Sequence, residues 1–471
     1  MLRVYYNMSY SPALEYFCQR LEGLSVGQFR LETQNQGQTV PSQSIIRVNI
    51  PTNALVDIRS FSLNFSASTG AGGANNGLRL PDGIEKLVNR VEVSIGGVSI
   101  ASGCNYYNVL CQVKKIVDGW KSSDALAHNK IIPTGASYVD NQTMTGISGE
   151  VYTSTNNMTQ FAISNWCGFI GECEPRILST DLFGDMVITI YLEAPNNCIS
   201  TSEGVAVGNF TTLATAPNAS YSLSNVYATI TCYSMASGEY DNVIASQLQS
   251  AGSLEVGFKQ YFSFREANFT SIMRFTVATQ SLNRLFAVFG THGNDAESVD
   301  VSGGTAMPNA PLLEAQSLNA FANNQIPSVL DSRLSATYRH PYTSFEALRH
   351  SATAGLEEYQ WTLNSALYPQ YKMRRPDVFR LCEIAGKRSW YEPYDKGLHT
   401  FNTNDFVVCA KFTMDAPNSR YIQGLDTRSV ALNAYLNVTG NNAATNIPCY
   451  VFCECDSSLL IAPGRQIEII Q

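Results

Sequence analysis

The sequence predicts an all-β protein assembled from two tandem units of the sandwich or jelly-roll kind, and three observations carry that prediction. First, the chain of 471 residues is faintly self-similar at half its length. LVNRVEVSI (Leu87 to Ile95) reads against LDSRLSATY (Leu330 to Tyr338) at an offset of 243, and RILSTDLFGDMVITIYL (Arg176 to Leu192) reads against RYIQGLDTRSVALNAYL (Arg420 to Leu436) at 244. Arg90 and Arg333, Arg176 and Arg420, and the Tyr191-Leu192 and Tyr435-Leu436 pairs are identical. Two matches at nearly one spacing point to a repeated unit. Second, each half carries six or seven short runs with the alternation or β-branched content of strands, the count of a sandwich or jelly roll rather than of an α/β enzyme. Third, helical periodicity is scarce.

In chain order, the strand runs of the first half are SIIRVNI (44–50), VDIRSFSLNFSA (56–67), VEVSI (91–95), VSIAS (98–102), FAISNWCGF (161–169), DMVITIYLEA (185–194) and NVYATITCY (225–233). Between VEVSI and VSIAS, Gly96 and Gly97 supply the positive φ angles that a two-residue hairpin turn demands. The second half follows with SIMRFTVAT (271–279), LNRLFAVFG (282–290), RLSATYR (333–339), DFVVCAKFTM (405–414), SVALNAYLNV (429–438) and CYVFCEC (449–455). Helices are expected in matched places. Tyr106, Val109, Val113 and Ile116 recur at helical spacing after the Gly96-Gly97 hairpin, and SFEALRHS (344–351) follows RLSATYR behind a Ser cap. A third helix, EYDNVIASQLQSAG (239–252), ends at Gly252 and serves as linker. The expected division is an N-terminal arm (1–25), a first unit (26–240), the linker helix (241–255) and a second unit (256–471). Insertions at about 118–158, 290–325 and 352–402 exceed ordinary loops and are expected to emerge largely from one end and contact other subunits.

Composition restricts function. Charged residues are 15% of the chain, against roughly 25% in ordinary soluble domains, and a surface so poor in charge is expected to be covered. The net charge of −8 and a pI near 5.3 argue against a nucleic-acid binder, which needs a basic face to neutralise phosphates. The basic spots Lys114-Lys115 and Lys372, Arg374, Arg375, Arg380, Lys387 and Arg388 read as solvated loops or contacts to an acidic neighbour. The first residues lack the apolar core of a signal peptide, and no run approaches the roughly 18 apolar residues that span a bilayer. The chain is therefore expected to remain in the cytosol. Its twelve cysteines (18, 104, 111, 167, 173, 198, 232, 382, 409, 449, 453 and 455) read as reduced core thiols, with Cys453 and Cys455 on one face of a strand. Eight Asn-x-Ser/Thr sequons, Asn64, Asn209 and Asn437 among them, barely exceed the roughly six expected from composition.

No catalytic, cofactor-binding or metal-ligating residue is nominated. The five histidines (128, 292, 340, 350 and 399) form no HExxH or HxH pattern, and no GxSxG elbow, Walker loop or kinase set occurs. The Gly-rich stretch Ser68 to Gly77 lacks the third glycine of GxGxxG and a following helix, so it reads as a loop. Glu172 and Glu174 invite comparison with a glycosidase pair, but residues two apart need no such role.

The run ILSTDLFGDMVITIYLEA in one half and YIQGLDTRSVALNAYLNV near the close of the other resemble the double jelly-roll major capsid proteins of tailless icosahedral double-stranded DNA viruses, in the pattern of the virophage and Polinton-like virus group. The resemblance spans essentially the whole chain through loose strand-and-turn motifs and brings no catalytic residues. It implies two eight-stranded rolls side by side, a homotrimeric pseudo-hexagonal capsomer, neighbouring capsomers, penton and minor capsid proteins as partners, and in some members an internal membrane. The chain departs from the pattern in showing six or seven strands per half. Two rival classes remain: a tandem β-sandwich that binds carbohydrate or adheres, which would be expected to carry a secretion signal and disulfides, and a β-sandwich glycan hydrolase, which needs carboxylates on facing strands.

Overall fold

The computed structural model describes residues 24–69, 77–79, 84–101, 104–119, 138–139, 159–198, 200–202, 220–235, 252–289, 357–364, 366–386, 405–413, 424–428, 432–439, 447–463 and 466–470, with isolated positions at 244, 246, 248–250 and 345. Within these, each half contributes eight principal strands. In the first they are β1 (Leu24–Glu32), β2 (Ile45–Asn49), β3 (Leu55–Thr69), β4 (Val88–Ile95), β5 (Val98–Ala101), β6 (Ile177–Ser179), β7 (Met186–Leu192) and β8 (Tyr221–Met235). In the second they are β9 (Leu254–Phe269), β10 (Ile272–Val277), β11 (Leu282–Phe289), β12 (Glu358–Leu363), β13 (Ala366–Met373), β14 (Val408–Lys411), β15 (Leu432–Thr439) and β16 (Ile447–Ala462).

The sheet order is the same in both halves. The first pairs β1-β8-β3-β6 in one sheet and β2-β7-β4-β5 in the other; the second pairs β9-β16-β11-β14 and β10-β15-β12-β13. Every strand of one half therefore has its counterpart eight places on, and all pairings are antiparallel. This is the jelly-roll order, built twice. Thr159–Ile163 and β6 share the far edge of β3, and β17 (Gln466–Ile470) turns back on the upper part of β16.

Alternation sets which side of each strand faces the core. Along β2 the order is exposed, buried, exposed, buried, exposed, so Ile46 and Val48 point inward; β10 repeats the pattern with Met273, Phe275 and Val277. The 244-residue match is a true strand equivalence. β7 and β15 occupy the same place, Ile190 and Leu192 facing the core where Ala434 and Leu436 do. The 243-residue match does not mark equivalent strands: the place held by β4 is filled in the second half by β12, and Leu330 to Tyr338 lies outside the described residues.

Other expectations need amending. Eight strands, not six or seven, stand in each half; β1, β6, β9, β12 and β13 were not read from the sequence. The expected 352–402 insertion holds β12, β13 and the helix α2 (Arg375–Ala385). FAISNWCGF stops being strand at Ile163, and its end joins a short helical turn, Phe169–Glu172. α1 (Tyr107–Asp118) forms where expected, but its counterpart is α2 rather than SFEALRHS, of which only Phe345 is described. Both helices follow the fifth strand of their roll. The first strand already begins at Leu24, inside the expected arm, and β9 at Leu254, inside the expected linker. In that linker, Ile244, Ser246 and Leu248 to Ser250 are helical, and the Gly252 N–H donates to the Leu248 carbonyl at φ 78°.

Candidate functional site: the seam between the rolls

α1 is buried on nearly its whole circumference, ten of its twelve residues being inaccessible. Its polar residues Asn108, Gln112 and Lys114 are buried along with its apolar ones, because α1 lies between the core of roll 1 and the outer face of roll 2. It stops at Gly119, whose φ of 62° lets its N–H reach back to the Lys114 carbonyl, a left-handed cap that glycine adopts without strain. On the other side of the seam β11 is buried at every position from Leu282 to Phe289, and Tyr450 to Cys455 of β16 are buried likewise. Loss of alternation means that both faces of this sheet are covered.

Ring contacts cross the seam at two points. Tyr106 meets Tyr450 edge-on at 5.2 Å, and Phe169 meets Phe258 edge-on at 5.2 Å. The backbones also join: Glu174 and Gly257 exchange hydrogen bonds of 2.7 and 2.9 Å, and the Asn105 N–H donates to Ser263 Oγ at 2.8 Å. α1 and α2 touch so closely that a Cβ at Gly386 would sit 2.0 Å from the Val117 carbonyl oxygen.

Between these contacts lies a buried ionic cluster. Lys114 Nζ stands 2.6 Å from Asp118, 3.4 Å from Glu454 and 3.6 Å from Glu172. The Arg284 guanidinium donates to both oxygens of Asp118 at 2.7 and 3.0 Å and to both of Glu454 at 3.1 and 2.6 Å. It also donates to the Ala385 carbonyl at 2.9 Å. A single cation from β11 thus closes the C-terminal ends of both helices, where the helix dipole favours positive charge. The Tyr261 hydroxyl lies 2.7 Å from Glu172 and 3.3 Å from Glu454.

The charges hold one another ionised. Burial alone would raise the Glu454 and Asp118 pKa values, but the cations Arg284 and Lys114 override it and hold both carboxyls below their ordinary range. Burial alone would lower Lys114 and Arg284; Glu454 on both, with Glu172 on Lys114 and Asp118 on Arg284, raises them instead. Tyr261 is pushed well up by burial and by Glu172 and Glu454, so it stays a neutral donor. These groups are mutually satisfied. Their chemistry is that of a lock, not of a proton-transfer site.

Sequence reasoning reached part of this. Lys114 was expected in a solvated loop or beside an acidic neighbour; it is 4% exposed on a helix, beside three carboxylates. Lys372 and Arg374 pair with Glu358, and Arg375 with Glu357. Glu172 belongs to the lock, whereas Glu174 pairs with Arg59 at 2.8 Å on a largely exposed side chain. Arg284 and Glu454 were missed. Their signal was present as a lone charge inside an apolar run, LNRLFAVF and YVFCEC, since such a residue is buried only with a partner. Eleven cysteines are described, all free and ten of them buried. Cys453 and Cys455 are both buried in β16, and burial pushes the Cys455 thiol up to about 12. The five histidines and Cys18 lie outside the described residues. Among the described residues no group of three or more His, Cys, Asp or Glu is placed to hold a metal ion, and no helix is long and apolar enough to cross a membrane.

Two eight-stranded rolls in one chain define the double jelly-roll class of fold. Comparison with solved structures agrees: the chain is similar to one of the PBCV-1 virus capsid, with a TM-score of 0.55 and 11% identity over 98% of this chain and 99% of that one. It is also similar to the Faustovirus major capsid protein (TM-score 0.49, 11% identity, 96% and 93% covered) and to a chain of the Sputnik virophage (0.46, 11%, 98% and 92%). No family model and no curated protein matches the sequence.

Proposed function

We propose that this chain is a major capsid protein, the repeating block of an icosahedral shell of a double-stranded DNA virus, and that three copies form a pseudo-hexagonal capsomer. The observation that carries the reading is the double jelly roll itself, shared over nearly the full length of both chains with a virus capsid chain. Fold alone does not dictate function. Here a physical argument accompanies it: three chains of two like rolls present six similar edges, which is what near-equivalent packing on a hexagonal lattice needs from one gene product. A surface with few charges and much Asn, Ser, Thr and Tyr suits wet, hydrogen-bonded contacts. A division into an N-terminal arm, two rolls and a linker belongs to this reading, with the first roll starting at Leu24 and the second at Leu254. So do a virion location, an absence of catalysis, and penton proteins, minor capsid proteins and in some shells an internal membrane as neighbours. The test is light scattering on the sized protein with negative-stain imaging. Trimers of six-lobed outline are expected; a monomer at every concentration would refute the proposal.

A further inference from the structure

Both helices of the seam carry a thiol that meets a second thiol of its own roll. On α1 the Cys111 thiol, 1% exposed, donates a hydrogen bond to the sulfur of Cys167. The Tyr107 hydroxyl, one turn earlier on α1, donates to Cys111 and accepts the Cys167 backbone N–H at 2.8 Å, so three groups share one contact. On α2 the Cys382 thiol, wholly buried, donates to the sulfur of Cys409 on β14. All four thiols are free.

The two pairs hold matching places. α1 and α2 each follow the fifth strand of their roll; Cys167 precedes β6, and Cys409 lies in β14, the counterpart of β6. Each pair therefore stands at the two ends of the connection between the fifth and sixth strands, enclosing the chain from 111 to 167 in roll 1 and from 382 to 409 in roll 2. Packing alone would be served by any small hydrophobe and gives no reason for a thiol to face a thiol in both rolls. Sulfurs in hydrogen-bond contact need approach by less than about 2 Å to reach the covalent distance of about 2.05 Å.

We propose that Cys111 with Cys167, and Cys382 with Cys409, are two disulfide-forming sites that staple the ends of each connection when the protein passes from a reducing to an oxidising medium. The oxidant is a small-molecule disulfide such as oxidised glutathione. One protein thiolate attacks it, forming a mixed disulfide and expelling one glutathione thiolate; the neighbouring protein thiol gives up its proton and attacks the protein sulfur of the mixed disulfide, expelling the second. The two protein sulfurs are oxidised, the glutathione disulfide is reduced, and the two protons lost by the protein pass to the two thiols released. Burial raises the Cys111 pKa, and the hydrogen bond to Cys409 together with burial raises that of Cys382, so the exchange waits on local opening and is slow. Each staple anchors its helix to the far end of its connection, and because α1 and α2 touch, both sides of the seam become covalently fixed. A capsid role needs neither bond, and neither bond needs assembly.

The reduced full chain and its variants C111S, C382S and C111S/C382S are incubated for days with oxidised glutathione, once in buffer and once in urea below the unfolding midpoint, where local openings multiply while the chain stays folded. Remaining thiols are alkylated in denaturant, peptides are mapped by mass spectrometry, and each sample is melted. Expected in the parent are the bonds 111–167 and 382–409, with the other eight of the twelve cysteines alkylated. C111S should form only the second bond and C382S only the first. Oxidation should raise the parent's melting temperature by roughly 5 °C and leave that of the double variant unchanged. Stable glutathione adducts on any of the four in the parent, bonds to other cysteines, or four free thiols in both media would overturn the proposal. Where a serine variant unfolds early, the parent's peptide map alone decides. Light scattering on the same samples keeps the two readings apart: trimers whose four thiols stay open sink the staples and leave the capsid reading, and a stapled monomer does the reverse.

Discussion

Glu454 stands between Cys453 and Cys455, two thiols at zero exposure, and its charge survives there because Arg284 grips both its oxygens. Replacing it by Gln leaves Arg284 and Lys114 short of a carboxylate in a buried site, and the loss expected is about 3–5 kcal/mol, read from chemical denaturation. Replacing Arg284 and Glu454 together by Met and Leu should recover much of that, because the desolvation of both ions disappears with them. The cluster also sets a pH window. Glu454 and Asp118 have folded pKa values below their unfolded ones, so their contribution is complete above the unfolded value of about 4 and drains away below it as pH falls through the folded values. Lys114 and Arg284 are raised, so theirs holds until strongly alkaline pH. Thermal unfolding followed across pH should therefore plateau between about pH 5 and pH 8, above which the buried thiols, whose pKa values folding raises, favour the unfolded chain; a steep loss at pH 6 would contradict the charge assignment. At Gly386 the constraint is space, for φ is ordinary at −99° and only the nearby Val117 carbonyl forbids a side chain. Gly386→Ala should cost about 1–3 kcal/mol by parting the helices. None of this spacing is written in the local sequence: a lone charge in an apolar run announces that it has a partner, and only the fold says which.

At the scale of elements, strands with one wet face were legible. β2, β10 and β7 sit within a residue or two of SIIRVNI, SIMRFTVAT and DMVITIYLEA, since alternation is a local property. The missed strands share a different feature. β13 reads ALYPQYKM, with a proline and mostly exposed residues at a sheet edge; β6 has three residues; and β1, SVGQFRL, carries exposed Val26 and Phe29. Edge strands bury too little to leave a pattern. β12 was hidden for another reason, because the faint match at Leu330 to Tyr338 had already filled its place. Its Trp361 is wholly buried and meets Phe275 of β10 edge-on at 6.2 Å. Trp361→Ala should cost about 3–5 kcal/mol and lower the melting temperature, whereas truncation of exposed Tyr371 on β13 should leave the isolated chain's melting unchanged.

For the whole molecule, the repeat was legible and its wiring was not. One true match at β7 and β15 sufficed to announce two units, but the rolls diverge most in the long connections, so the second half could not be aligned to the first strand by strand. The seam was invisible because it joins residues hundreds of positions apart. A whole-molecule measurement follows from burial. The ten buried thiols should react slowly with a thiol reagent in the folded protein, and all twelve cysteines should react at once in denaturant. Burial pushes the Cys173 thiol up to about 12, which withholds the reactive thiolate as well as access. Rapid reaction of more than two or three thiols without denaturant would show that the rolls open readily.

The lock between Lys114 and Glu454 spans 340 residues, and this imposes a schedule on synthesis. Roll 1 has all its strands once Met235 has left the ribosome, yet the sheet that will cover α1 has not been made. In the interval Lys114 has Asp118, one turn along its own helix, and Glu172 of the same roll, but neither Glu454 nor the competing Arg284. Roll 2 cannot supply the rest early either, since β9 must wait for β16, its partner across nearly two hundred residues, before its central sheet exists. The nascent chain therefore carries the uncovered side of α1 and an incomplete ion cluster in water for much of its translation, a period in which other half-made copies are the nearest surfaces it can meet.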